Sequence, residues 1–265
     1  NTLSPGPAVI DPRRPNQLFR SIRTIQNDLI ANYDAMSIVF RQQGFKGLTV
    51  LSSYTWSHTT DVSTDSNGGS NVMNPYNWRL DYGDANWDVR HRFVTSLTYE
   101  LPFFANASQK VVKNVLGGWQ LNGISTLQSG FPFSVTISAD RANVGQGTQR
   151  ANILSPATVN CGGDPRVSCV PISSFGLPDL YTYGNTGRNI FNGPGLVNFD
   201  LSLFKNIVLT ERARLQFRTE FFNSFNHPSF SNPNSTFVPG STNFGTITST
   251  STNNRQIQFG LKILF

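Results

Sequence analysis

Covalent catalysis needs a nucleophile beside a base, a carboxylate pair or a metal cluster, and the 265-residue sequence offers few groups for any of these. Its three histidines, His58, His91 and His227, share no ligand spacing. His58 and His227 border polar loops, His91 falls on the outward parity of a strand near its end, and His227 sits in an FNHP turn where a structural role is expected. Asp61, Asp65, Asp81, Asp84 and Asp88 cluster in or beside one loop, and calcium takes clustered oxygens. The run DVSTDSNGG lacks the Glu that closes an EF-hand, so a solvated acidic loop is expected. GQGTQR, at Gly145 to Arg150, has neither the GxGxxG nor the Walker spacing and no strand-then-helix context. Cys161 and Cys169 lie in a Gly/Pro-rich stretch without a second pair or a nearby His, which leaves a local disulfide or two free thiols. A ring that short would be worth roughly 2.5 kcal/mol in the chain-entropy view. No catalytic residue, cofactor or metal is expected, and the chain reads as a non-enzyme.

The elements that carry these residues alternate with period 2, not 3.6. In the last eleven residues Ile257, Phe259, Leu261, Ile263 and Phe265 alternate with Gln256, Gln258, Gly260, Lys262 and Leu264. Residues 211–223 set Leu215, Phe217 and Phe221 against Arg214, Gln216, Arg218 and Glu220, residues 196–205 follow suit, and so do residues 89–101. Residues 119–128, 48–58 and 33–43 alternate more loosely, and a weaker candidate covers 17–27. The total is seven or eight strands.

Composition narrows the class. Hydrophobic residues make up 38% and charged residues 14%, against roughly 25% charged in a soluble domain. No apolar run approaches the 18 or more residues of a spanning helix, and mean hydropathy is −0.25. A helical membrane protein is excluded. A transmembrane β-barrel is not, because alternation halves the apolarity of each crossing. Eleven residues at about 3.3 Å, tilted about 45°, rise roughly 26 Å, the height of an outer-membrane apolar band. Short connections at 44–47, 102–117 and 206–210 alternate with long ones at 59–87, 137–194 and 224–254, as periplasmic turns alternate with extracellular loops. Tyr54, Trp56, Trp87, Tyr99, Phe103, Phe104 and Trp119 fall near strand ends, where aromatic girdles belong. The fold expected is all-β, an antiparallel transmembrane barrel with long extracellular loops.

In that barrel Arg90, Arg92, Arg214 and Arg218 point inward with Glu100, Asp200 and Glu220, where charge is tolerated. Loop residues Arg141, Arg150, Arg166 and Arg188 suit lipopolysaccharide phosphates or an anionic solute. The net charge of +6 is scattered rather than gathered on one aromatic-lined face, so nucleic acid is not an expected partner.

The runs GNTGRN (Gly184–Asn189), GPG (Gly193–Gly195), NFDLSLFKN (Asn198–Asn206) and LQFRTEFFNSFNHPSF (Leu215–Phe230) resemble the C-terminal end of TonB-dependent outer-membrane receptors of the Oar-like group. NYDAMSIVFRQ, LSSYTWSH, DVRHRFVTSLTYELPF and GGWQLNGISTLQSGFPFSV, all upstream, are similar to the same group. The likeness covers nearly the whole chain. It implies a 22-stranded barrel of which residues 1–265 are a C-terminal portion, with plug and TonB box outside this sequence. It also implies uptake of a solute too large for porins, and a terminal aromatic, Phe265, read by the barrel assembly machinery. Expected partners are outer-membrane lipid, lipopolysaccharide, that machinery, the TonB complex through the plug-bearing parts, and a solute of unknown identity. Residues 1–15 lack the basic head and apolar core of a signal peptide, which is expected to have been removed or to belong to a longer chain. The alternatives are eight strands closing as a small barrel, a structural or adhesive outer-membrane protein without transport, and a secreted soluble β-sandwich binding carbohydrate through Trp and Tyr.

Overall fold

The computed structural model describes residues 3–20, 22, 29–63, 72–104, 108–145, 148–161 and 164–265. The seven firmer alternating segments form seven long strands: β1 (Ala31–Phe45), β2 (Leu48–Asp61), β3 (His91–Glu100), β4 (Trp119–Gln128), β5 (Leu196–Val208), β6 (Arg214–Phe222) and β7 (Gln256–Leu264). Each pairs antiparallel with its neighbours in the chain, and the order across the sheet is the order in sequence. Most of the 17–27 candidate lies outside the described residues, and positions 17–20 and 22 are not strand.

Register carries the alternation from strand to strand. Ile38 pairs with Tyr54 and Tyr54 with Phe93, Leu121 lies between Tyr99 and Leu203, and Phe217 opposes Leu261. One face is therefore a continuous apolar and aromatic sheet, on which Phe217 stacks against Phe259 at 6.2 Å. Ile38, Phe40, Phe259 and Leu261 on this face are 57 to 69% exposed. A patch of that extent in water would drive aggregation; against lipid tails it is the correct surface. The other face carries Ser37, Thr55, Thr98, Asn122, Ser202, Gln216 and Gln258, placed by the same registers.

Short turns close one end of the sheet. Lys46 and Gly47, both at positive φ (51° and 84°), join β1 to β2, as two-residue hairpins of matching twist require. A Cβ on Gly47 would stand 2.5 Å from the Glu100 carbonyl oxygen, so that position takes no larger residue. The β3–β4 connection holds a seven-residue helix, α1 (Lys110–Leu116), and residues 209–213 link β5 to β6. The described parts of the long connections 62–90, 129–195 and 223–255 meet at the opposite, outer end.

None of the buried apolar residues among those described lies in the seven strands. Apart from Leu3, which precedes β1, they sit in the outer connections, where Phe133, Val135, Ile137, Ala151, Val170, Phe175, Phe191, Phe237 and Phe244 form one core. Phe175 is its hub, with ring centroids 5.8, 6.5 and 5.7 Å from Phe191, Phe237 and Phe244. Thr136–Ile137 pairs with both Gln149–Arg150 and Thr236–Phe237, which joins two connections into one layer. Cys161 and Cys169 form a disulfide, and the Cys169 amide donates to the Gly245 carbonyl at 3.0 Å. Residues 3–14 dock on the same layer: Leu3 packs with Ala142 and Val144, and Arg13 Nη1 donates to the Asn143 carbonyl at 2.9 Å.

Two solvents follow from this division. Phe259→Arg, midway along β7 on the apolar face, should cost about 2 to 4 kcal/mol of stability in bilayers, whereas Gln258→Arg, one residue away on the polar face, should change it little. Urea unfolding of the chain in lipid vesicles, followed by tryptophan fluorescence, checks both.

Candidate solute-binding site

The polar face gathers most of the strand residues expected to meet a solute, spread along its height. Arg92 lies near the outer end of β3, paired across the sheet with Thr55 and Gln128. Glu100, eight residues further along the same strand, stands about 26 Å away at the inner end. Asp200, Arg218, Glu220 and Arg214 follow on β5 and β6. Asp200 Oδ1 accepts from the Asn223 amide at 2.8 Å. Arg218 donates through Nε to Gln216 Oε1 at 2.6 Å and lies 4.8 Å from the Phe204 ring centroid. Arg90 precedes β3 and is tied to Asp84 at 3.1 Å and Asp88 at 3.3 Å.

The loop arginines are engaged within the outer layer. Arg150 and Asp81 form a buried ion pair; Arg150 also donates to the Thr186 carbonyl at 2.8 Å and the Leu80 carbonyl at 2.6 Å, and Asp81 Oδ2 accepts from the Met73 amide at 2.6 Å. Arg188 Nη1 meets Asp61 Oδ1 at 2.5 Å. Arg141 Nε donates to the Pro178 carbonyl at 2.8 Å. Arg166 stays on the surface beside Asp164, at 2.8 Å, and its side-chain and backbone donors lower the Asp164 carboxyl to about pKa 2. The expectation of a solvated acidic loop is corrected: Asp61, Asp81 and Asp88 are buried. A guanidinium neutralises each of the three, which makes their burial affordable. Asp65 lies outside the described residues.

GNTGRN is the hinge pin of these clamps. A Cβ on Gly184 would stand 2.0 Å from the Arg150 carbonyl oxygen, so two backbones touch there. Thr186 Oγ1 donates to the Ala151 carbonyl at 2.5 Å. Asn189 Nδ2 donates to the Asp84 carbonyl at 2.6 Å and to Asn86 Oδ1 at 2.7 Å. In the downstream motif Asn223, at φ 48°, exchanges hydrogen bonds with the His227 backbone at 2.9 and 3.0 Å. His58 Nε2 lies 2.9 Å from Asp84 Oδ1 and His91 Nδ1 lies 2.8 Å from the Tyr54 hydroxyl.

A cavity opens on the polar face at the outer ends of β1, β2 and β3, beneath the connection that precedes β3. It measures about 530 Å³ and is lined by Tyr33 of β1, Thr55, Ser57 and Thr59 of β2, Arg92 of β3, and Trp87 and Val89 of the preceding connection. Trp87 is therefore not part of the outward aromatic girdle that its position near a strand end suggested. The segment before β3 turns toward the polar face, drawn by Ser57 Oγ, which donates to the Val89 carbonyl at 2.8 Å, and by Asp88, which accepts from the Thr59 amide at 2.6 Å. Tyr54, Trp56, Tyr99 and Trp119 lie on the outward parity. Of the lining residues only Arg92 was marked by strand parity as solute-facing. Tyr33 shares its parity but not its charge, and Trp87 lies in no strand.

Antiparallel strands of membrane-spanning length, one apolar face, one polar face and all long loops at one end define a membrane-spanning β-barrel. A family model for an outer membrane beta barrel domain matches residues 1–258. The chain belongs to that family, and its place is the outer membrane. No curated protein and no solved structure gives a match.

Replacing Arg150 by Ala leaves Asp81 buried without its counter-charge and should cost about 3 to 5 kcal/mol. Faster cleavage of the outer loops by protease added to intact cells is the expected result. Cys161→Ser should have a smaller effect, about 2 to 3 kcal/mol, read in the same assay.

Proposed function

We propose that this chain is the C-terminal portion of the barrel of an Oar-like TonB-dependent receptor, with residues 1–265 supplying part of the wall around a solute pathway. The observation that carries this reading is the pair of edge strands, β1 and β7, each without a partner on its outer side among the described residues. β1 and β7 both run away from the outer end, so pairing them would make a parallel contact. An antiparallel barrel therefore needs an odd number of further strands between them. Residues 3–14 dock on the outer layer and β1 starts at the outer end. A larger barrel accommodates both facts better than eight strands do.

In this reading the polar face lines the interior, and Arg92, Arg214, Arg218, Asp200 and Glu220 line the solute's path. The outer layer makes first contact with solute and lipopolysaccharide, Arg141 and Arg166 among the groups nearest its surface. Plug and TonB box, in other parts of the receptor, would couple uptake to the inner-membrane TonB complex, and Phe265 would serve recognition by the assembly machinery. No bond in the solute is made or broken. The second reading, an adhesive protein, is favoured by the packed, disulfide-closed outer layer.

Cysteine labelling tests the assignment. In outer-membrane vesicles of cells producing the complete receptor, Thr98→Cys on the polar face should react with a membrane-impermeant maleimide, and Leu97→Cys on the apolar face should not. In whole cells a protonophore should alter labelling of Thr98→Cys if an energised plug moves across it. Labelling indifferent to the protonophore would favour the adhesive reading.

A further inference from the structure

We propose that the cavity beneath the connection that precedes β3 is a subsite for an acidic saccharide, a sugar chain bearing carboxylates; this rests on reading the polar face as the interior of a solute-binding barrel. Tyr33 is 64% and Trp87 56% exposed on the side of the sheet that has neither lipid nor an apolar core to receive them. Two aromatic rings in such a place, at the rim of one cavity, provide faces whose negative quadrupole attracts the C–H side of a sugar ring.

Arg92 supplies the charge selection. Arg90, Arg150, Arg166 and Arg188 are each matched by an aspartate, whereas Arg92, among the described residues, has neither an ion pair nor a side-chain hydrogen bond. Its cross-strand neighbours, Thr55 and Gln128, are uncharged. A guanidinium is built to take a carboxylate through two parallel N–H donors, and here its fork is open to the cavity.

The hydroxyls decide between ligand classes. Thr55 and Thr59 line the same wall, and the Ser57 hydroxyl, which donates to Val89, keeps acceptor capacity. An aryl carboxylate would satisfy Arg92 and the rings while leaving this row of hydroxyls unused; a polyhydroxylated acid satisfies all three. The volume of about 530 Å³ lies within the roughly 300 to 1,000 Å³ of small-molecule sites.

Calorimetry on the complete receptor in detergent micelles, with trigalacturonate, galactotriose and benzoate as probes, tests the proposal. Trigalacturonate should bind at least tenfold more tightly than either of the others. Arg92→Gln should remove that preference while leaving weak binding of both sugars, Trp87→Ala should weaken both sugars, and Arg212→Gln, in the turn at the opposite end of the sheet, should change nothing. Circular dichroism confirms that each variant keeps its strands. Equal affinity for the three probes, no heat with trigalacturonate, or an unaltered preference in Arg92→Gln would overturn the assignment. Thr98→Cys labelling separates the two failures: a reactive Thr98→Cys with no trigalacturonate binding removes the saccharide alone, and an unreactive one removes the interior reading as well.

Discussion

Inside a hydrocarbon layer a peptide N–H or C=O has only other peptide groups to bond with, and each one left alone costs several kcal/mol. Every other feature of this molecule follows from meeting that requirement with strands rather than helices. Strands pair sideways, so the apolar surface must be built from every second residue, and the register must hold across all seven strands to keep it on one side. The turn at Lys46 and Gly47, tight enough to keep β1 and β2 in step, serves the same end. Among the described residues β1 and β7 are where the requirement is still open, and their shared direction fixes the parity of whatever completes the sheet.

The same requirement moves the water-excluding core out of the sheet. A strand that turns one face to lipid and the other to an aqueous interior has no inside, so Phe133, Phe175, Phe191, Phe237 and Phe244 collect where water is on every side, in the outer connections. Burial there draws in charge as well. Asp81 and Arg150 meet buried within the layer because backbone carbonyls and amides complete their shells, a condition under which a buried ion pair is tolerated.

Period-2 alternation made the strands, their ends and the short and long connections legible, because each depends on residues two apart on the same segment. The outer layer was not legible for the opposite reason. Arg150 and Asp81 are 69 positions apart and Arg188 and Asp61 are 127 apart, and nothing local to an Asn/Ser/Thr/Gly-rich stretch names so distant a partner. Phenylalanines dispersed singly through such stretches likewise carry no period to reveal a shared core. The cavity divides along the same line. Arg92 was found by parity, Tyr33 had the parity without the charge, and Trp87 owes its position to hydrogen bonds of its neighbours Asp88 and Val89 with β2.

The connections after β2, β4 and β6 are fastened to one another by the Asp61–Arg188 and Asp81–Arg150 pairs, by the strand pairing of Ile137 with Phe237 and by the amide of Cys169 on Gly245. Mechanically they amount to a single stiff plate seated on six of the seven strands. Three free loops would flutter separately and let the rim widen a little at a time. A plate transmits force: a load applied at any corner is shared among all the strands it is anchored to, and the mouth keeps its perimeter until the plate tilts as a whole.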